Sequence, residues 1–317
     1  MPTLWFTSLL LATAFAQGAP RAATRGNPAA GATLAFSRAG SNEFVFDTGQ
    51  LRGKLRAGGR SAGLSSVIHV PTGTRVDSSV GLLSPYRLFS ANKRYGTAAW
   101  DWPSEATLLA DGGVEVVWSR AAERPFELRA VYRLSAPSVV DFEATVSART
   151  NLTGFELFLA SYFAAGFTNS LVYVKSNRQE WLMEADRQCG VWLAFPRDER
   201  ALGFIQDGRW KLEPNPVDWV IMPRLAKPLG LRQSRASGVR AIVMSLPEDC
   251  FALSTPFDTE PHRSLYLSLF GQDLKTGETA RTRARLVIRS DLSGEGIDAL
   301  YFDYLRGRRP GPADRRS

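Results

Sequence analysis

Along most of the chain, apolar and polar residues alternate one for one. In ELRAVYRL, Leu128, Ala130, Tyr132 and Leu134 alternate with Glu127, Arg129, Val131 and Arg133. In VDFEATVSAR, Val140, Phe142, Ala144, Val146 and Ala148 alternate with Asp141, Glu143, Thr145, Ser147 and Arg149. ARTRARLVIR sets Ala280, Thr282, Ala284, Leu286 and Ile288 against Arg281, Arg283, Arg285, Val287 and Arg289. A period of two predicts strands with a core side and a wet side. Asp111-Gly112-Gly113, Asp207-Gly208 and Lys275-Thr276-Gly277 supply turns. The Asp207-Gly208 pair, between ALGFIQ and RWKL, predicts a tight hairpin. Pro214, Pro216, Pro223 and Pro228 predict a long loop. Helical spacing is clear in GIDALYFDYLRG, where Ile297, Leu300, Tyr301, Tyr304 and Leu305 share a face. Short strands without intervening helices predict an all-β fold: a large antiparallel β-sandwich with a short C-terminal helix, in one domain over 33–306.

The stretch HRSLYLSLFG, residues 262–271, is the most informative of these strands. Leu265, Leu267 and Leu269 predict a core face. Ser264, Tyr266, Ser268 and Phe270 share the opposite parity with His262, one of two histidines in the chain. A hydroxyl- and ring-bearing face predicts the lining of a cleft, with His262 at its head.

The chain ends differ from this pattern. Residues 4–16, LWFTSLLLATAFA, form a short apolar run ending in a small-x-small motif, Ala14-Phe15-Ala16. We read 1–16 as a signal peptide and 17–32 as a small-residue linker, which makes the mature protein secreted or periplasmic. No internal run of 18 apolar residues suggests membrane insertion once the leader is cut. At 317 residues, 44% apolar and 22% charged, the composition is that of an ordinary globular chain. The net charge of +8 is concentrated at the end, where residues 304–317 hold five arginines against one aspartate. We read 307–317 as a disordered basic tail. No interleaved basic and aromatic groove points to nucleic acid. Cys189 and Cys250 are compatible with one disulfide or with two buried thiols. With two Cys and two His, a Cys/His zinc site is nearly excluded, and no metal or cofactor is expected. A calcium held by loop carboxylates lacks a ligand-loop motif.

Candidate chemistry falls in two segments. In one, Asp258 and Glu260 bring two carboxylates within four residues of His262. An imidazole beside a carboxylate can pass protons near neutral pH, or bond a ligand's hydroxyls. In the other, residues 84–105 offer Tyr86, Arg87, Arg94, Tyr95, Trp100, Asp101, Trp102 and Glu105 in a loop-like setting. Tyr95, Trp100 and Trp102 are candidates to stack on a ligand's apolar face. Arg87 and Arg94 are candidates to bond a ligand's hydroxyls or carboxylate, and Tyr266 adds a phenol. In an extended chain Trp100 and Trp102 share one face. Glycoside hydrolysis needs paired carboxylates. Asp141 and Glu143 read as a surface ladder, while Glu180, Glu184, Asp258 and Glu260 are freer.

Three segments resemble the galactose mutarotase-like superfamily. They are FVFDTGQLRGKLRAGGRSAGLSSVIHVPTGT (44–74), RAVYRLSAPSVVDFEATVSARTNLT (129–153) and SLYLSLFGQDLKTGETARTRARLVI (264–288). Segment 44–74 resembles an opening meander that ends in a Thr-Gly turn. Segment 129–153 resembles a strand pair leading into GFELFLASYF, and segment 264–288 resembles closing strands joined by a Gly-Glu-Thr turn. The resemblance implies a carbohydrate-binding supersandwich. The aldose epimerases of that group carry one histidine just after a T-N-x-T stretch and another in an L-H-G-G turn. Here Asn151-Leu152-Thr153 runs into Gly154-Phe155-Glu156, and no L-H-G-G occurs. The resemblance therefore implies a sugar-sized cleft without the epimerase machinery. The leading expectation is a carbohydrate-binding protein, with an acidic polysaccharide or oligosaccharide among its candidate ligands. The alternatives are a carbohydrate-active hydrolase, lyase or isomerase using His262 as acid or base, and a protein-interaction sandwich of the cell envelope.

Overall fold

The computed structural model describes residues 33–58, 61–91 and 93–307, which fall in one compact unit. The expected leader, linker and basic tail lie outside the described residues.

The alternating segments form the strands they predict. Phe126–Ala136, Val139–Ala148 and Thr279–Arg289 are neighbours in an antiparallel sheet of nine strands. Their apolar parity is buried throughout. Their polar parity carries a cross-strand ladder in which Asp141 binds Arg285 at 2.7 Å and Glu143 binds Arg283 at 3.3 Å. Another sheet, of seven strands, runs in the order Val220–Ile221, Trp192–Pro196, Cys250–Pro256, Ser264–Leu274, Leu152–Tyr162, Ser84–Ser90, Lys93–Arg94. Only its outermost pair, Trp192–Pro196 with Val220–Ile221, is parallel. The two sheets enclose one large apolar core, in which Leu265, Leu267 and Leu269 meet Val116, Ala130, Phe142 and Leu286. A sheet of five short strands between residues 37 and 75 adds Phe44, Phe46 and Leu55 to the same core. The expected all-β sandwich is therefore the observed architecture.

Each of the two large sheets also has a covered outer face. On the seven-stranded sheet the cover departs from expectation. ALGFIQ is not a hairpin strand but most of α1, Glu199–Gln206. The cause is local: the Asp198 side chain accepts from the Ala201 backbone N–H at 2.9 Å, an N-cap that starts a helix. Ala201 and Ile205 then share the buried face. Gly208, at φ 93°, reverses the chain into a short 3-10 turn, Arg209–Lys211. The proline-rich loop also ends sooner than expected. Pro214 and Pro216 lie in it, but Pro228 sits in the strand Arg224–Gln233, where a register shift tolerates its missing N–H.

On the nine-stranded sheet the cover is α2, Gly294–Arg306, which the side chain of Ser293 caps. Its Ile297, Tyr301 and Tyr304 pack on Leu229, Leu231, Ile242 and Met244, as the helical spacing predicts. Among the described residues, no helix is long and apolar enough to cross a membrane.

The cover of the seven-stranded sheet is fastened by buried charge. Glu156, on Leu152–Tyr162, accepts from Trp210 Nε1 at 3.0 Å and from Arg209 Nη1 at 3.3 Å. Arg209 also donates to the Gly154 carbonyl at 2.6 Å and binds Asp207 at 2.8 Å. Neither Glu156 nor Arg209 reaches solvent, at 0% and 1% side-chain exposure. Burial pushes the Glu156 carboxyl above the usual carboxylate range, and Arg209 pulls it back. Gly154 is required beneath them. Its φ is 55°, and a Cβ there would meet Arg209 Nη2 and Phe204 Cε1 at 2.8 Å.

Breaking a buried pair by removing one partner costs about 3–5 kcal/mol, because the other charge stays buried and unpaired. Arg209→Leu is therefore expected to lose stability on that scale in urea unfolding. The double variant Arg209→Leu with Glu156→Gln should recover part of the loss. An Arg209→Leu protein as stable as the parent would contradict this account.

Candidate functional site

The outer face of the seven-stranded sheet carries rings instead of aliphatic side chains. Phe158 and Tyr162 are four residues apart on Leu152–Tyr162 and so share a face, and Tyr266 lies beside them on the neighbouring strand. Tyr266 stacks on Phe158 with centroids 4.7 Å apart and meets Tyr162 edge-on at 5.9 Å. Trp192 closes one side and the loop from Asn215 to Trp219 closes another. Together with Tyr86, Arg87 and His262 these groups line a cavity of about 430 Å³. A neighbouring hollow of about 400 Å³ lies along the cover and shares Val217 and Trp219 with it.

A β-bulge places two consecutive residues of Ser84–Ser90 in this cavity. The pairing with Leu152–Tyr162 shifts register between Phe158 and Leu159, so Tyr86 and Arg87 both reach it while Leu88 faces the core. Arg87 is 6% exposed. It donates to the Asn215 carbonyl at 3.0 Å and to the Tyr86 hydroxyl at 3.2 Å. Its Nε is buried without a partner. Among the described residues no carboxylate pairs with Arg87. Lining charge in a low-dielectric wall without a counter-charge is costly unless a ligand supplies one.

The turn before Ser264–Leu274 builds the opposite rim. Glu260 accepts from the His262 backbone N–H at 2.8 Å and from Nδ1 of its ring at 2.8 Å. A carboxylate at Nδ1 requires the proton there, so the neutral ring keeps its lone pair on Nε2. The imidazole is 53% exposed while the Glu260 carboxyl is 12% exposed. Trp192 abuts the imidazole edge-on at 5.2 Å. The whole turn hangs on Arg232, which reaches across from the nine-stranded sheet. This buried guanidinium donates to the carbonyls of Asp258 at 2.7 Å, Pro256 at 3.2 Å and Ser264 at 3.3 Å. Burial pushes its pKa down to about 9. Behind the cavity, Tyr266 donates to the Tyr162 hydroxyl at 3.1 Å. Burial raises both phenols, Tyr266 to about 12, so both stay protonated at neutral pH.

The candidate residues thus separate into groups. Arg87, Tyr266 and His262 share one cavity, and Glu260 stands behind His262. Asp258 does not face it; its carboxylate accepts from the Thr259 N–H at 2.7 Å and shapes the turn. Arg94 binds the carbonyls of Leu212, Pro214 and Thr97, fixing the base of the cover loop. Burial, then the nearby Arg87 charge, brings its pKa down to about 10. Trp100 and Trp102 do not share a face, because Ala99–Asp101 is a 3-10 turn. Trp100 lies flat on Tyr86 at 4.2 Å, backing the cavity. Trp102 turns into the core, against Phe126 and under Arg124. Tyr95 is buried too, bonded to Ser90 at 2.8 Å. Phe270 also leaves its expected face. A bulge with φ 73° at Phe270 and 62° at Gly271 rotates its ring into the core against Phe155. Segment 84–105 is not loop throughout, since Ser84–Ser90 is a strand.

Sequence reasoning passed over Phe158, Tyr162, Trp192, Asn215 and Trp219. The i, i+4 aromatic pair in FELFLASY is a readable signal for the first two; loop residues 215 and 219 give none. Both cysteines are free thiols. Among the described residues no group of three His, Cys, Asp or Glu side chains could hold a metal ion.

No protein-family model and no curated protein matches the sequence. Solved structures do match in fold. The Slr1438 protein of Synechocystis aligns with TM-score 0.50 and 12% identity over 82% of this chain and 99% of its own. A galactose mutarotase-like protein from Lactobacillus casei aligns with TM-score 0.48 and 10% identity over 78% and 100%. A galactose mutarotase related enzyme from Lactobacillus acidophilus gives 0.47 and 9% over 78% and 97%. At 12% identity, the Slr1438 alignment shows a shared fold.

The two histidines differ sharply in environment. His69 is 2% exposed and its Nδ1 meets the Thr72 hydroxyl at 2.8 Å. Diethyl pyrocarbonate is therefore expected to modify His262 in the folded protein and to spare His69 until unfolding, as peptide mass mapping would show. Equal reaction at both would contradict the geometry of the rim.

Proposed function

We propose that this chain is an exported carbohydrate-binding protein that holds an acidic sugar on the outer face of its seven-stranded sheet. The observation that carries the reading is Arg87: a buried guanidinium with no carboxylate partner among the described residues, set among aromatic rings. Rings offer flat apolar surface to the faces of a sugar, and a guanidinium offers paired donors to its carboxylate. The mutarotase-like fold supports a sugar over other small ligands. The neighbouring hollow across Trp219 gives room for more than one sugar residue. The net charge of +8 favours approach of an acidic polymer. The apolar leader over 1–16 supports export to the periplasm or the medium, where such polymers are met.

Titration calorimetry of the mature chain against oligosaccharides of uronic acids and against neutral oligosaccharides tests the reading. Uronates should bind and neutral chains should bind more weakly. A charge-assisted hydrogen bond contributes about 1.5–3 kcal/mol, so Arg87→Ala should weaken uronate binding by roughly 10- to 150-fold. Absence of binding to every glycan tried would end the proposal and favour a protein-interaction role in the cell envelope.

A further inference from the structure

Resting on the reading that the cleft takes an acidic sugar, we propose that it also cleaves 4-linked uronate chains by β-elimination, with His262 Nε2 as base and the Tyr162 hydroxyl as acid. The argument begins with what the cavity wall does not contain. None of its described lining residues is Asp or Glu. The nearest rim carboxylate, Glu260, already accepts from both the ring and the backbone of His262. Hydrolysis by two facing carboxylates lacks its pair here.

What the wall does contain is the set that elimination needs. Arg87 can neutralise the uronate carboxylate, which makes the hydrogen on the adjacent C5 more acidic. In the neutral His262 ring the lone pair lies on Nε2, because Glu260 holds the proton on Nδ1. Tyr162 presents a phenol kept protonated by burial. The rings of Tyr162 and His262 have centroids 6.4 Å apart, within the span of one sugar residue. Tyr266 donates to the Tyr162 oxygen and so stabilises the negative charge that forms when Tyr162 gives up its proton.

The step balances without any further reagent. His262 Nε2 takes the C5 proton. The C5–H electron pair becomes the new π bond of C4=C5. The C4–O bond to the leaving sugar breaks, and its oxygen takes the Tyr162 proton. The imidazolium then returns a proton to the phenolate. The products are a chain with a free 4-hydroxyl and one with an unsaturated uronate at its new end.

The test uses the mature chain with alginate, polygalacturonate and chondroitin. Ultraviolet absorbance reports the unsaturated end, a reducing-sugar assay reports any cleavage, and calorimetry reports binding. Absorbance should rise with at least one polymer. General acid–base groups each contribute about 10²–10⁴-fold in rate. His262→Ala and Tyr162→Phe should therefore each slow the rise by roughly 100-fold or more. Binding without new absorbance overturns the elimination and leaves the binding reading standing. New reducing ends without absorbance overturn it in favour of hydrolysis. Unchanged turnover in His262→Ala overturns the assignment of the base. Loss of binding to all uronates removes both readings together.

Discussion

A carboxylate that never meets water holds the cleft open. Glu156 lies on the outer face of the seven-stranded sheet, a surface of Phe89, Phe158, Phe251 and Tyr266 that would otherwise demand a flush apolar cover. A purely hydrophobic cover would be free to slide until it filled every gap. Glu156 instead accepts from Trp210 and Arg209 and pins the cover at one point. Beyond that point, Asn215 and Pro216 face a gap over the sheet. The space between is the cavity, with Val217 and Trp219 as its far wall. A buried pair adds little net stability against an apolar replacement, but it specifies register strongly when removal of one member is so costly. Here register is what matters, because the position of the cover sets the width of the site.

Buried arginines divide by how they are satisfied, and the division separates scaffold from site. Arg209 has carboxylates. Arg232 instead has three carbonyls and the Thr255 hydroxyl around it, which is enough for a cation that organises a turn. Arg94 is likewise spent on carbonyls. Arg87 has only one carbonyl and one phenol and lines the cavity, whereas a partnerless Nε is common to Arg87, Arg94 and Arg232. An under-satisfied buried charge costs several kcal/mol. A fold tolerates that where a ligand completes the shell.

The sandwich was legible because alternation is a direct consequence of strand geometry. Wherever Leu128–Leu134, Val140–Ala148 or Ala280–Ile288 kept strict parity, the core face followed. Legibility failed where one residue broke the period. The bulge at Phe270–Gly271 turned a ring that parity assigned to the cleft into the core. The bulge opposite Phe158 put both Tyr86 and Arg87 in the cavity, where strict alternation allows one. The 3-10 turn at Ala99–Asp101 separated two tryptophans that an extended chain would keep together. The α1 segment misled for another reason: Asp207-Gly208 is an equally good helix stop and hairpin turn, and the deciding Asp198 cap lies outside the window that suggested a hairpin. His262 was placed near the cleft by parity with Tyr266. In the structure it precedes the strand, and its position comes from Glu260 and Arg232 instead.

The anchoring of His262 by Glu260 and Arg232 changes how the site is understood. The two rims are fixed by different arginines from different layers. Arg209 ties the cover to Leu152–Tyr162 on the outer face. Arg232 reaches from the nine-stranded sheet to the turn that carries His262. The distance between His262 and the cover loop is therefore set by the packing of one sheet on the other, through some of the best-buried groups in the molecule. Such a site is formed before any ligand arrives, so ligand binding need not supply the cost of ordering it. The proposed binding and acid–base chemistry would both gain from that rigidity, since each depends on polar groups held within about half an ångström of their working positions.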